Sequence, residues 1–306
     1  MATVDLHPEI ERVRHLAPDL SLDDATVLAI RAAGLGAPVE LSDAVERTDH
    51  VIAGSPDVTV RVHRPRGVDG ALPCIVQIHG GGYVLGSYAM DDARFDRWCH
   101  DLGVMGVSVE YRLSPECAYP GPLEDCYAAL RWTFDNAASL GVDPHRIGIG
   151  GVSAGGGLAA GLGLLARDRG EVPVAFQVLE CPMIDDRQVT SSSQYDGLLV
   201  WSRESNTFGW RAYLGDLYGT DAVPAYAAAA RADDVAGLPP TLVIVGGADG
   251  FRDEDITYAL RLGQAGVPTA LHVIPGAPHG VQMFQGSPPA MQWDRLVTDW
   301  VREQVS

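Results

Sequence analysis

From Cys74 onward the sequence alternates short apolar runs with helical stretches, and this alternation is its strongest constraint on the fold. The strand-like runs are Cys74–His79, Val104–Glu110, Arg146–Gly150, Ala175–Glu180, Thr241–Val245 and Ala270–Ile274. Helical stretches fall near 90–101, 123–139, 155–168, 253–265 and 289–304. Strands that are apolar on both faces and separated by helices pair in parallel and are covered on both sides. The chain is therefore expected to be α/β, with a mostly parallel central sheet and helices on both faces. Two β-rich segments precede it, near 49–53 and 58–64, joined by Gly54-Ser55-Pro56-Asp57, which reads as a hairpin turn. Residues 1–47 are polar, helix-capable and loosely amphipathic. Leu16-Ala17-Pro18 breaks one helix there, and Ser21-Leu22-Asp23-Asp24 reads as an N-cap. The alternation is interrupted once, from Gln188 to about Asp234, where Trp201, Phe208, Trp210, Tyr213, Tyr218 and Tyr226 occur without a good strand. The expected organisation is one α/β domain over 48–187 and 235–306. A small helical cap would come from the insertion 188–234 together with the helical N-terminal segment, residues 1–47. A chain of 306 residues is long enough for one such core.

All 22 basic residues are arginine. The absence of lysine excludes a lysine P-loop, a pyridoxal-phosphate Schiff base, a Ser-x-x-Lys lactamase pair and a lysine aldolase. Beside abundant alanine, glycine and arginine it reads as the composition of a GC-rich genome. Forty acidic residues leave a net charge of −18, which repels phosphate backbones, and no arginine stripe offsets it. Nucleic acid is not an expected partner, and the charge is explained by solubility. Ile147–Ala166 is twenty residues without a charge, but eight are glycine, so it reads as strand, turn and helix rather than as a membrane span. The N-terminus MATVDLHPEIERVRH has no apolar run and is not expected to be a signal peptide. Cys74, Cys99, Cys117, Cys126 and Cys181 are an odd number with no C-x-x-C spacing, which suits buried thiols in a reducing compartment. A cytoplasmic protein that does not use a membrane is expected.

Gly151-Val152-Ser153-Ala154-Gly155 satisfies G-x-S-x-G, follows a strand and precedes a helix. Glycine-rich turns match the pattern by chance, but this context makes it a nucleophile elbow, a tight strand-to-helix turn that exposes the serine hydroxyl. A dinucleotide loop is the main rival, since Gly148-x-Gly150 follows a strand. That motif needs a third glycine where Ser153 sits. His79-Gly80-Gly81-Gly82-Tyr83 follows the first strand of the cycle. Three glycines could be a flexible loop, yet acyl transfer needs backbone N–H groups aimed at an oxyanion, without side chains in the way. The segment matches the HGGG-type oxyanion loop of lipases and esterases. The expected donors are the amides of Gly81, Gly82 and Ala154, with His79 as a structural residue that orients the loop.

A serine nucleophile needs a base, and the base an orienting acid. Of nine histidines, His7, His15, His50 and His63 precede the sheet cycle, His100 and His145 fall in helices or loops, and His272 lies inside a strand. His279 lies in a loop beyond the last strand, where the order Ser, Asp, His places the base. Asp249 follows the strand Thr241–Val245 and is the expected acid. Asp253 competes, although it reads as a first-turn charge of the next helix. Glu180 and Asp185 are a second alternative on the same rim.

At these positions the chain resembles the hormone-sensitive-lipase-like family of α/β-hydrolase carboxylesterases, in its bacterial branch. The matching segments are His79–Tyr83, Tyr111-Arg112-Leu113-Ser114-Pro115-Glu116, Tyr119-Pro120 with Leu123-Glu124-Asp125, Gly151–Gly156, Asp249 through Asp253-Glu254, and His279-Gly280. They occur in order over roughly residues 70 to 285. Val152 stands where the family commonly has aspartate, Gly157 where asparagine often occurs, and Gly250 where proline is usual. The resemblance implies the α/β-hydrolase fold, a helical cap over the site, and hydrolysis of short-chain or aryl esters without a cofactor.

The expected activity is that of a serine carboxylesterase on small-molecule esters. Ser153 would attack, His279 relay the proton, Asp249 hold the imidazole, and Gly81, Gly82 and Ala154 bind the oxyanion. No metal is expected, and a homodimer is left open. An amidase such as an arylformamidase would use the same triad. A non-catalytic receptor on this fold is the third reading, against which the presence of His279 argues. The aromatic spacing of Trp201, Phe208, Trp210 and Tyr213 suits one helix face, either packing the cap or lining an acyl pocket.

Overall fold

The computed structural model describes residues 5–18, 20–34 and 39–306. Residues 1–4, 19 and 35–38 of the expected N-terminal cap segment lie outside the described residues. In chain order the elements are α1 (Pro8–Val13), α2 (Thr26–Ala33), β1 (Val45–Ile52), β2 (Val58–Pro65), β3 (Leu72–Ile78), α3 (Asp92–Leu102) and β4 (Met105–Glu110). They continue with α4 (Gly121–Asp135), α5 (Ala137–Leu140), β5 (Val142–Val152), α6 (Ala154–Arg169), β6 (Gln177–Glu180) and α7 (Arg203–Leu214). The chain ends with β7 (Thr241–Gly246), α8 (Arg252–Gln264), β8 (Thr269–Ile274) and α9 (Pro288–Val305).

Eight strands form one sheet in the order β1-β2-β4-β3-β5-β6-β7-β8. The hairpin β1–β2 and its junction with β4 are antiparallel; every other pair is parallel. The α/β expectation therefore holds, with the two β-rich segments forming the antiparallel edge. Every residue of β3 and β7 is buried, as a strand covered on both faces requires. Strand order reverses at β3, whose neighbours are β4 on one side and β5 on the other. Such a reversal opens a crevice at the carboxyl ends of the strands. Ile78 pairs with Gly151 at that end, so the glycine loop after β3 and the turn after β5 start side by side.

Several boundaries differ from the sequence reading. β5 begins at Val142, not Arg146: Val142 pairs with Leu72 before a register shift, and Asp143, His145 and Arg146 hide this stretch of the strand in a polar run. The stretch 123–139 divides at Asn136 into α4 and α5. The segment Ser21-Leu22-Asp23-Asp24 supplies the capping side chain, Asp23, although the regular helix begins only after it. Helix α2 starts at Thr26, and Asp23 Oδ1 accepts from the amides of Ala25 and Thr26 at 2.9 and 2.7 Å. The insertion 188–234 contains one α-helix, α7, and otherwise short 3₁₀ turns and irregular chain. Ile147–Ala166 is the end of β5, a turn and most of α6, and no helix among the described residues is long and apolar enough to cross a membrane.

Ser205 on α7 ties the insertion to the N-terminal segment, donating through Oγ to Leu20 O at 2.7 Å and accepting from the Leu22 amide at 3.2 Å. Arg31 on α2 donates to Val84 O and Ser114 O, both at 2.6 Å, and pairs with Glu116. One guanidinium thus fastens α2 to the segments that follow β3 and β4.

Gly148 in β5 has a packing role rather than a phosphate-binding one. A Cβ there would lie 2.3 Å from the Phe176 ring, which is itself held edge-on by Trp300 at 5.9 Å. Gly148→Ala is expected to lower unfolding stability by about 1–3 kcal/mol, because the displaced ring has nowhere to go. Urea unfolding measures this, and an unchanged midpoint would contradict the close contact.

Candidate active site

The turn after β5 holds Ser153 at φ 57° and ψ −121°, a conformation that a non-glycine residue adopts only under constraint. The constraint is visible in its neighbours. A Cβ on Gly151 would lie 2.1 Å from Gly155 O, and one on Gly155 would lie 2.1 Å from Ile78 O. The Ser153 amide donates to Glu180 O at 2.8 Å, and its carbonyl accepts from the Met183 amide at 2.9 Å. The G-x-S-x-G spacing thus follows from how tightly the turn is pressed against the ends of β3 and β6.

Three other strand ends supply the rest of the site. The loop after β7 carries Asp249 and the loop after β8 carries His279. His279 Nε2 lies 2.9 Å from Ser153 Oγ, and His279 Nδ1 lies 2.8 Å from Asp249 Oδ2. Asp249 Oδ1 accepts from the Phe251 amide at 2.9 Å, and the Phe251 ring meets the imidazole edge-on at 4.9 Å. With the carboxylate accepting from Nδ1–H, the Nε2 lone pair faces the hydroxyl proton of Ser153. A proton can then move from hydroxyl to imidazole while the carboxylate holds the tautomer. Ser153 and His279 are each 6 % exposed and Asp249 is 1 % exposed, so the chain of hydrogen bonds is shielded from bulk water.

In the glycine loop, Gly81 and Gly82 have φ of 124° and 60°. Among the described residues, the amides of Gly81, Gly82 and Ala154 donate to no backbone carbonyl, which leaves three N–H groups for a ligand. His79 Nδ1 lies 2.9 Å from Gly80 O, and its ring stacks on Tyr111 at 4.2 Å. Burial pushes its pKa down to about 4 against the opposing hydrogen bond to Gly80, so it is neutral and structural. Tyr83 stacks on Tyr213 at 4.0 Å and donates to Met183 O at 2.8 Å. Gly157 is accommodated by the same contact, since a Cβ there would lie 2.5 Å from the Tyr83 hydroxyl.

The rival acids have other partners. Asp253, in the first turn of α8, accepts from the Ser192 amide at 2.8 Å and pairs with Arg252. Asp185 takes a bidentate contact from Arg187 at 2.7 and 2.8 Å. Glu180 is fully buried, paired with Arg94 and accepting from Trp293 Nε1 at 2.7 Å. His272 lies in β8, and His63 is buried against Ser108 and Phe95, both away from the serine.

Other residues near the site have roles that sequence did not reveal. Trp201 precedes α7 rather than lying on it, and its ring covers the glycine loop: a Cβ at Gly82 would fall 2.1 Å from it. Trp210 and Tyr213 are fully buried packing residues around Tyr83, so the aromatic stripe divides between two roles. Glu254 accepts from the amides of Ile184 and Asp185 at 3.2 and 3.1 Å, and burial, with Asp185 beside it, pushes its pKa well up. Cys181 follows β6, and burial raises its thiol, assisted by Asp249, Asp255 and Glu180. Cys181, Asp249 and His279 are the one group of three potential metal ligands found among the described residues. A chamber of about 10 Å³ adjoins Asp249, Phe251, Trp201 and Asn206. A wider, open groove of about 330 Å³, lined by Leu22, Arg203, Phe208 and Arg211, touches none of Ser153, Asp249 or His279.

Residues 75–283 match the family described as alpha/beta hydrolase fold. The chain is 34 % identical to carboxylesterase NlhH of Mycobacterium tuberculosis over 301 residues, 95 % of this chain and 93 % of the relative. It is also 34 % identical to an arylesterase of Saccharolobus solfataricus over 219 residues, 70 % of this chain and 69 % of the relative. Among solved structures, a bacterial heroin esterase superposes with a TM-score of 0.93 at 39 % identity, covering 99 % of this chain and 98 % of that one. The chain belongs to the α/β-hydrolase-fold family, in its hormone-sensitive-lipase-like carboxylesterase group.

Proposed function

We propose that the protein is a serine carboxylesterase acting on short- to medium-chain acyl or aryl esters. The observation that carries this reading is the continuous hydrogen-bonded run Ser153–His279–Asp249, at 2.9 and 2.8 Å, beside the free amides of Gly81, Gly82 and Ala154. Ser153 attacks the ester carbonyl as His279 accepts its proton, and the three amides receive the charge that develops on the carbonyl oxygen. His279 then protonates the departing alcohol, and water repeats the cycle on the acyl-enzyme. Similarity to a carboxylesterase and to an arylesterase supports the same chemistry.

The N-terminal segment and the insertion 188–234 act as one cap. In support, Ser205 ties them together, Gly209 of α7 lies against Gly82 O, and Trp201 closes over the glycine loop. The aromatic lid bounds the acyl site, so a short chain fits and a long one must displace Trp201 or leave for water. A cytoplasmic location suits the five free thiols.

Three outcomes are expected. Ser153→Ala lowers kcat by about 10⁴-fold or more in a folded protein, because the triad acts as a unit; substantial residual turnover would remove Ser153 as nucleophile. Asp249→Asn costs on the order of 10⁴ in kcat through the wrong histidine tautomer, while Asp253→Asn, Asp185→Asn and Glu180→Gln each cost far less. A larger loss in any of those three would reassign the acid. Across p-nitrophenyl esters, kcat/KM rises by up to about 4-fold per methylene and then falls, peaking between about two and eight carbons. A rate still climbing at palmitate, or activation at a triolein interface, would contradict the capped site.

A further inference from the structure

Cys181 takes no part in the proposed reaction, yet the fold holds it against the base and the acid that orients it. Its backbone is in the left-handed region at φ 37°, and its amide donates to Ile244 O at 2.7 Å. The side chain is fully buried, and its Sγ, a carboxylate oxygen of Asp249 and a ring nitrogen of His279 all lie within 4.8 Å of one another. Thiolate, imidazole and carboxylate form the donor set of zinc and of softer divalent ions. A tetrahedral zinc spaces such donors roughly 3.5 Å apart, so they need close by little more than about 1 Å.

We propose that Cys181, Asp249 and His279 form a latent inhibitory site for a thiophilic divalent cation such as zinc or cadmium. This rests on the reading of Ser153, His279 and Asp249 as the triad. The ion takes the Cys181 sulfur as thiolate, and the thiol proton leaves to solvent. It also takes one oxygen of Asp249 and the Nδ1 lone pair of His279. In the working state Nδ1 carries the proton donated to Asp249, so metal binding requires the other tautomer, with that proton on Nε2. A protonated Nε2 has no lone pair for the hydroxyl proton of Ser153, and the nucleophile is left without a base. One proton is released per ion and no oxidation state changes. Buried Cys74, Cys99 and Cys126 belong to no such donor group among the described residues, and half-buried Cys117 serves as a control.

The test is p-nitrophenyl butyrate hydrolysis during titration with zinc or cadmium chloride in a non-chelating buffer. The proteins compared are the wild type, Cys181→Ala, Cys181→Ser and Cys117→Ser. Rates before metal addition report separately on the esterase reading, since its failure would leave the wild type without turnover. Wild type and Cys117→Ser are expected to lose activity and to regain it with EDTA. Both Cys181 variants should need at least about tenfold more metal for the same loss. Cadmium should add thiolate-to-metal charge-transfer absorption in the ultraviolet to the wild type and not to Cys181→Ala. If the alanine variant does not fold, the serine variant and the absorption of wild-type protein decide. The proposal is overturned if active Cys181 variants are as sensitive as wild type, if Cys117→Ser abolishes the inhibition, or if millimolar metal leaves the wild type unaffected.

Discussion

The conformation of Ser153 is the constraint on which the rest of the site depends. Holding a non-glycine residue at φ 57° and ψ −121° costs on the order of 1–3 kcal/mol, and it persists only where the surroundings over-determine it. They do so through a backbone clamp and close packing. The Ser153 amide and carbonyl bond to Glu180 O and the Met183 amide, while Gly151 and Gly155 let the turn press on itself and on β3. Because β3 and β5 are adjacent and parallel, that pressure also brings the glycine loop alongside the serine. One packing arrangement therefore sets Ser153 and the proposed oxyanion donors Gly81, Gly82 and Ala154 together.

Asp249 bonds the imidazole, while Glu180, Asp185 and Asp186 are tied to arginines. Glu180 is held by Arg94, Trp293 and Gln282, Asp185 by Arg187, and Asp186 by Arg231. A buried carboxylate stripped of its partner is costly, so these pairs fix the strand ends and the loops attached to them. Gln282 follows the His279 loop within three residues and donates to Glu180 at 3.3 Å. The same Glu180 thus reaches both the serine turn, through its carbonyl, and the histidine loop, through its side chain. Glu254 adds a second clamp by satisfying the two amides at the start of the 185 segment.

The fold and the three hydrogen-bonded residues were legible because both follow from local pattern. Apolar runs between helices mark parallel strands, parallel strands put their following loops on one rim, and Ser153, Asp249 and His279 each follow a strand. What sequence could not supply depends on long-range packing. The start of β5 is polar because Asp143 and Arg146 pair with each other on the surface. The insertion follows no helical period over most of its length, since its backbone is held by side chains from elsewhere, as when Ser192 and Asp253 bond reciprocally across the chain. Trp201 fell into a helical spacing by coincidence; its role comes from lying over Gly82. Nothing local marks Cys181, whose neighbours Asp249 and His279 are brought to it by β7 and β8.

The central claim is that one serine, activated by one histidine, carries the reaction. Treating the protein with an organophosphonate and mapping the adduct by peptide mass spectrometry tests it most directly. A single adduct per chain on the peptide containing Ser153, with labelling slowed strongly by His279→Ala, is the expected result. An adduct on any other residue, or labelling of Ser153 that proceeds at the same rate without His279, would contradict the account.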